Sequence, residues 1–146
     1  MTDENPDAFA VTDVDVRRVS RSVEVEAGTD QVWSAVSDPE LRALWLDDDD
    51  ARSRELRLDE VDDGRRLVWT WWRPDDKPGA SRVEIVLAPT EDGTRVVITE
   101  TLAAAPVGVA DTAVHAAPAT LRAADRWACR LLGLELLFVA AGVLVR

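Results

Sequence analysis

Glu100 is the side chain whose type and position in this sequence best suit chemistry. It ends the segment GTRVVITET, and in a strand it would share a face with Thr94, Val96 and Ile98. A carboxylate at the end of such a largely apolar face can orient a ligand or act as an acid or base. The alternative interpretation is a strand-end carboxylate that is paired with an arginine such as Arg82.

Two other reactive residue types occur once each, as His115 and Cys129. No serine or cysteine lies near His115 in DTAVHAAPA, so we expect an exposed structural histidine. Cys129 has Arg126 and Arg130 as near neighbours, but free cysteines are commonly buried, so we expect a small buried side chain. A single cysteine excludes an internal disulfide and a cysteine-clustered zinc site. We therefore predict no catalytic constellation, no metal site and no cofactor.

An acidic run, DDDD at residues 47–50, is the remaining candidate for a cation site. It lacks the alternating ligands, the central glycine and the terminal glutamate of a helix-loop-helix calcium loop. We therefore expect a solvated loop here. No glycine-rich phosphate-binding pattern occurs in the sequence, so nucleotide binding has no support.

Composition narrows the class of protein. The chain has 146 residues, with 17 basic against 28 acidic side chains and a net charge of -11, which disfavours nucleic acid as a partner. The acidic start lacks the features of a signal peptide, so we expect a disordered leader at residues 1–13, a single domain at 14–146 and a cytoplasmic location. The longest apolar run, LLGLELLFVAAGVLV, contains Glu135 and is shorter than the roughly 18 residues that a membrane span needs.

The hydrophobic pattern along the chain predicts an α+β domain. The segment RRVSRSVEVEA reads as a strand, and two short helices follow, the first capped by Thr29 and the second by Asp38 with Pro39 as its first residue. Four strand-like segments come next, and two of the turns between them contain Asp-Gly. A long helix is predicted from about Thr120 towards Val145, after an alanine-rich linker.

Three tryptophans are concentrated in the strand-like segment RRLVWTWWR. Strand alternation places Trp69 and Trp71 on one face, which we expect to meet the C-terminal helix together with Glu100, and Trp72 on the other face. Large aromatic side chains of this kind fill a core or line a ligand pocket. Both interpretations remain open from the sequence.

The segments VEVEAGTDQVWSAVSDPELRALW and RLVWTWWRPDDKPGASRVEIVLAPTEDGTRVVITET closely resemble the SRPBCC superfamily, also called START-like or helix-grip proteins. The resemblance is to the branch similar to activators of the heat-shock-protein-ninety ATPase. It implies an antiparallel sheet curved around a long C-terminal helix, with two short helices after the first strand. Family members usually have two more strands after the second helix, where this chain has only LDDDDARS, so we expect about five strands.

The resemblance also implies binding of an apolar small molecule or lipid in a space between the sheet and the long helix. We expect that cavity to be no larger than about 300 Å³. The candidate lining residues are Trp45, Trp69, Trp71, Ile85, Ile98, Glu100, Trp127 and Leu131. Two alternatives are a protein-interaction domain of the co-chaperone type and a cyclase-like or dehydratase-like enzyme that uses Glu100.

The predicted C-terminal helix carries apolar residues on two sides. One stripe can fill the space under the sheet, but a second would be left in water unless something covers it. This second stripe consists of Leu132, Leu136, Val139 and Val143. We predict that another copy of the chain covers it, in a two-fold homodimer. The alternative is that the leader or the alanine-rich linker folds over it.

Overall fold

A computed structural model describes the backbone of residues 18–102 and 112–145. Within those ranges, the side chains of residues 76–78, 112–119 and 140–145 are not described. The predicted leader, residues 1–13, lies outside the described residues, as does most of the alanine-rich linker.

Five strands and four helices make up the described part of the chain. The strands are β1 (Arg18–Val25), β2 (Glu55–Asp62), β3 (Arg66–Arg73), β4 (Asp76–Pro89) and β5 (Thr94–Thr101). Three short helices connect β1 to β2, and a long helix follows β5: α1 (Thr29–Ser37), α2 (Pro39–Trp45), α3 (Asp49–Arg52) and α4 (Thr112–Val145).

The strands form one antiparallel sheet in the order β1-β5-β4-β3-β2. The connection from β2 to β3 is one of the predicted Asp-Gly turns, and Gly64 has a φ of 82° there, a conformation that favours glycine. Helix α4 packs along β1 and contacts α2. The α+β class, the five strands and the long C-terminal helix confirm the predicted fold.

Alternation along the strands gives the sheet one buried face. In β5 the side chains of Thr94, Val96, Ile98 and Glu100 are buried, as the sequence pattern predicted. In β3, Trp69 and Trp71 are buried, whereas Trp72 is only half-buried. Helix α4 covers this face with buried apolar residues that include Trp127, Leu131 and Leu134. The predicted register of the tryptophan strand is therefore correct.

Several boundaries differ from the sequence prediction, and two of them lie close to the candidate site. The run at residues 47–50 was expected in a solvated loop, but residues 49–52 form the single-turn helix α3, whose N-terminus is capped by Asp48 through a 2.8 Å bond from the Ala51 amide. Helix α4 begins at Thr112 instead of Thr120 and continues through Pro118. A proline inside a helix removes one backbone donor, and the alanines on both sides of Pro118 have the highest helix propensity and so favour the helix there.

Candidate functional site

Glu100 is 3% exposed and has hydrogen-bond donors on both carboxylate oxygens. The indole Nε1 of Trp127 donates to Oε1 at 2.8 Å, and that of Trp71 donates to Oε2 at 3.0 Å. The hydroxyl of Ser81 donates to the same Oε2 and accepts a 3.1 Å bond from Trp71. The carboxylate on β5 thus connects to β3, to β4 and to α4, and it is not paired with Arg82 among the described contacts.

The strand register explains why these groups meet. Trp71 of β3 lies opposite Ser81 of β4, and Glu100 of β5 lies opposite Val83 of β4. Ser81 and Val83 are two residues apart and therefore share a face, so Ser81 is a diagonal neighbour of Glu100. All three polar side chains consequently project from the buried face, towards the helix that carries Trp127.

Aromatic rings and guanidinium groups pack beside this carboxylate. The rings of Trp71 and Trp127 are stacked, with centroids 5.7 Å apart and an interplanar angle of 24°. The guanidinium of Arg130 lies 4.7 Å from the centroid of Trp127, and that of Arg54 lies 4.9 Å from the centroid of Trp71. These distances are suitable for cation–π attraction, which is stronger where water is excluded.

Asp50 is the centre of an ion-pair cluster at the same end of the sheet. Its side chain is only 7% exposed and binds Arg54 at 3.1 Å, Arg130 at 3.0 Å and also Arg73. Arg126 lies 3.9 Å away. These four arginines come from the residue before β2, the end of β3 and α4, so one carboxylate holds three parts of the fold together.

Asp48 shares Arg130 with Asp50. The guanidinium of Arg130, whose side chain is 2% exposed, contacts both oxygens of Asp48 at 2.7 and 3.0 Å. The hydrogen bond from Arg130 is the main reason that the pKa of Asp48 falls to about 2. Burial alone would raise the pKa of Asp50, but hydrogen bonds from Arg54 and Arg130 and the charges of Arg54 and Arg126 outweigh it and lower that pKa. Both carboxylates are therefore held in the charged form.

A pocket of about 180 Å³ opens beside Glu100. Besides Glu100 and Asp50, its wall contains the apolar residues Leu102 and Ala123. The rest of the lining is basic and consists of Arg54, Arg73, Arg122, Arg126 and Arg130. Its volume is below the roughly 300 Å³ at which drug-sized ligands begin to fit. The arrangement is suited to a small polar molecule with a short apolar part.

The predicted cavity residues belong to the interior of the domain. All eight are less than 4% exposed, and seven of them belong to one hydrophobic cluster between the sheet and the helices. The eighth, Glu100, is also the one that lines the arginine-rich pocket. Trp69 differs from its neighbours because its buried Nε1 has no hydrogen-bond partner among the described residues. The structure thus places these residues together, and their role as ligand contacts stays a prediction.

The arginines of the pocket were not identified from the sequence as a site. Arg122, Arg126 and Arg130 are spaced four residues apart on α4, which places them along one face of a helix. Such a row of arginines in a chain of net charge -11 could have indicated the site from the sequence. The expectation that the DDDD run is solvated was wrong for Asp50, because Arg54, Arg73 and Arg130 compensate its burial.

The other candidates separate into different environments. Leu132, Leu136 and Val139 are each more than half exposed, while the side chain of Val143 lies outside the described residues, as does that of His115. Cys129 is exposed, so the expectation of a buried thiol was wrong. Residue 129 lies on the outer side of α4, one residue before the buried Arg130.

Among the described residues, no group of three or more histidine, cysteine, aspartate or glutamate side chains is arranged to hold a metal ion. None of the helices in the described ranges has the length and apolar character needed to cross a membrane.

The fold defines the class as a helix-grip α+β domain, and comparison with known proteins gives the family. Residues 26–123 match the family model described as Activator of Hsp90 ATPase homolog 1-like protein. The match covers more than half of the 146 residues. The chain belongs to this family, which confirms the resemblance noted from the sequence. No curated protein shows significant sequence similarity to it.

Solved structures share the fold. Protein MLL2253 from Mesorhizobium loti is 19% identical, with 85% of this chain and 98% of that chain covered and a TM-score of 0.68. A protein from Rhodobacter sphaeroides is 20% identical, with 86% and 94% covered and a TM-score of 0.66. The Aha1 dimer from Colwellia psychrerythraea is 14% identical, with 81% and 92% covered and a TM-score of 0.58. At these identities the similarity concerns the fold.

Replacement of Asp50 tests the ion-pair cluster. We expect Asp50→Asn to lower the free energy of unfolding by about 2–4 kcal/mol, because it leaves buried arginines without a compensating charge. The matched control is Asp47→Asn, which removes an ion pair to Arg52 in which both side chains are more than half exposed. That change should cost less than about 1 kcal/mol. If urea unfolding shows the same loss of free energy for both variants, the structural role of Asp50 is contradicted.

Acid should weaken the same cluster in a defined pH range. The folded-state pKa of Asp48, about 2, lies below the value of about 3.9 for an unfolded aspartate, so its contribution is present above about pH 4 and lost as the pH falls towards 2. Urea unfolding between about pH 5 and about pH 2 should therefore show a smaller loss of stability for Asp48→Asn than for the unaltered protein. If the free energy of unfolding falls equally with pH in the two proteins, Asp48 does not contribute to the acid sensitivity.

Proposed function

We propose that the protein is a small-molecule-binding module whose ligand enters the arginine-lined pocket and reaches the Glu100 carboxylate. The observation that carries this proposal is a buried carboxylate, fixed by two indoles and a hydroxyl, in the wall of an open pocket. Burial of a charge is costly, so such a group is found mainly where partners or a function compensate for it.

The lining of the pocket also supports ligand binding. Leu102 and Ala123 give the pocket an apolar surface next to its polar groups, which is the usual composition of a small-molecule site. The predicted apolar or lipid ligand would place its hydrocarbon part against these residues.

Two alternatives compete with this proposal. A protein-interaction role of the co-chaperone type is suggested by the family description, which names an activator of an ATPase. A cyclase-like or dehydratase-like enzyme would need Glu100 to exchange a proton with a substrate, and a second acid or base beside it. The other carboxylate in the pocket lining, Asp50, is occupied by arginines. Binding is therefore better supported than catalysis.

A substitution that fills the pocket tests the binding proposal. Native mass spectrometry of the protein purified from its own host should show an adduct of constant mass. Ala123→Leu should reduce the bound fraction by about tenfold or more, because overpacking a filled site costs about 1–3 kcal/mol. Ala128→Leu, on the exposed side of the same helix, is the matched control and should retain the adduct.

The outcomes of this experiment separate the three functions. Wild-type protein without any small molecule, but with a stoichiometric protein partner, would contradict ligand binding and favour the co-chaperone role. If the Glu100→Gln variant still binds the small molecule but no longer converts it, the result would favour the enzyme.

We also propose that two copies of the chain associate through the outer side of α4. Leu132, Leu136 and Val139 form an exposed apolar stripe, which is unusual for a helix that faces only water. A protein of the same fold from Colwellia psychrerythraea is described as a dimer. A two-fold pair of helices would remove the stripe from water on both copies.

Sedimentation measurements test the homodimer. The unaltered protein should sediment as a dimer, and the double substitution Leu136→Glu with Val139→Glu should give a folded monomer because two charges enter the apolar contact. The control is Leu58→Glu with Val61→Glu, a pair of similarly exposed apolar residues on β2. A wild-type monomer at high concentration would disprove this interface.

A further inference from the structure

The pocket beside Glu100 is positively charged in a strongly acidic protein. Five arginines line it, and three carboxylates, Asp48, Asp50 and Glu100, lie in its wall or against it, which leaves two positive charges in excess. The whole chain has a net charge of -11. Such a local excess is not needed to neutralise the acidic groups that the pocket already contains.

The arginines of the pocket divide into two groups. Arg54, Arg73 and Arg130 bind aspartates and belong to the structural framework, and Arg54 and Arg130, with side chains 11% and 2% exposed, also lie over tryptophan rings. Arg126 is 39% exposed, and its separation of 3.9 Å from Asp50 is too long for a hydrogen bond. Arg122 is exposed and has no hydrogen bond or ion pair with any described residue.

Arg122 and Arg126 are four residues apart on α4, so their side chains are neighbours on one face of the helix. Between them they offer guanidinium donors that the described part of the chain leaves unused. Glu100 does not use them, because its oxygens accept from Trp71, Trp127 and Ser81. Two adjacent guanidinium groups at the mouth of a pocket are suited to a carboxylate or a phosphate.

We propose that this pocket binds its ligand by an anionic group, a carboxylate or a phosphate, held by Arg122 and Arg126, with a short apolar part against Leu102 and Ala123. The proposal rests on the proposed function and specifies the class of ligand. The ligand is a small anion and not a polyanion, because the net charge of the chain repels an extended phosphate surface whereas the local excess attracts a single group.

Three probes with the same four-carbon chain test the charge requirement: butanoate, butyl phosphate and butan-1-ol. Binding is followed by NMR through the indole N–H signals of Trp71 and Trp127, which bind Glu100 in the pocket wall. The two anions should shift these signals in a saturable way, and butan-1-ol should bind at least about tenfold more weakly. The tighter of the two anions identifies the group as carboxylate or phosphate.

Substitution of the two helix arginines tests their role. Arg122→Gln combined with Arg126→Gln should raise the Kd of both anions at least about tenfold and leave butan-1-ol unchanged. These side chains are exposed or partly exposed, so the thermal midpoint should stay close to that of the wild type. The matched control is Arg95→Gln, an exposed arginine near the opposite end of β5, which should leave all three affinities unchanged.

The outcomes distinguish this inference from the proposed function. If butan-1-ol binds as tightly as butanoate, and the double variant has no effect, the pocket binds ligands but the anion inference is wrong. If none of the probes shifts the indole signals at millimolar concentration, and native mass spectrometry shows no adduct, both proposals are wrong. Loss of anion binding in Arg95→Gln would also overturn the assignment to Arg122 and Arg126.

Discussion

The carboxylate of Glu100 is the interaction on which the arrangement of the sheet and its long helix depends. Its two oxygens accept hydrogen bonds from Trp71 on the sheet and Trp127 on the helix. Hydrophobic contact between these elements is not directional, so many relative positions would bury a similar apolar area. A carboxylate with one indole on each side selects a single position, because any shift would leave a buried charge with fewer donors.

The ion-pair cluster of Asp48 and Asp50 is a second interaction that fixes the position of α4, at the same end of the domain. The one-turn helix α3 and its capping residue bring two carboxylates to α4. Replacement of a buried ion pair by apolar residues is often neutral or stabilising, so the cluster is weak evidence for added stability. Its geometric consequence is clearer, since it closes the end of the sheet with charged groups and leaves a polar pocket there.

The parts of the structure that could be predicted from the sequence depend on local patterns. Alternation in RLVWTWWR and TRVVITET placed Trp71 and Glu100 on one face, and an Asp-Gly pair located the turn at Gly64. The burial of Asp50 could not be predicted in this way, because its partner Arg130 is 80 residues away in sequence. Acidic runs are solvated unless cations compensate them, and a local window around Asp50 contains Arg54 but not Arg73 or Arg130.

The hydrogen bond of Glu100 and the ion pairs of the two aspartates involve neighbouring residues of α4. Together they fix the position of the helix along the sheet. A slide of α4 by one turn, about 5.4 Å, would separate Trp127 from Glu100 and Arg130 from Asp48 at the same time. Each separation would leave a charge uncompensated at a buried position, whereas the apolar contacts of Leu131 and Leu134 could re-form with other residues. The register of the helix is therefore set by its polar residues, and its apolar residues supply the affinity for the sheet. Because the same register brings Arg122 and Arg126 to the pocket, the geometry of the candidate ligand site is a consequence of the interactions that position the helix.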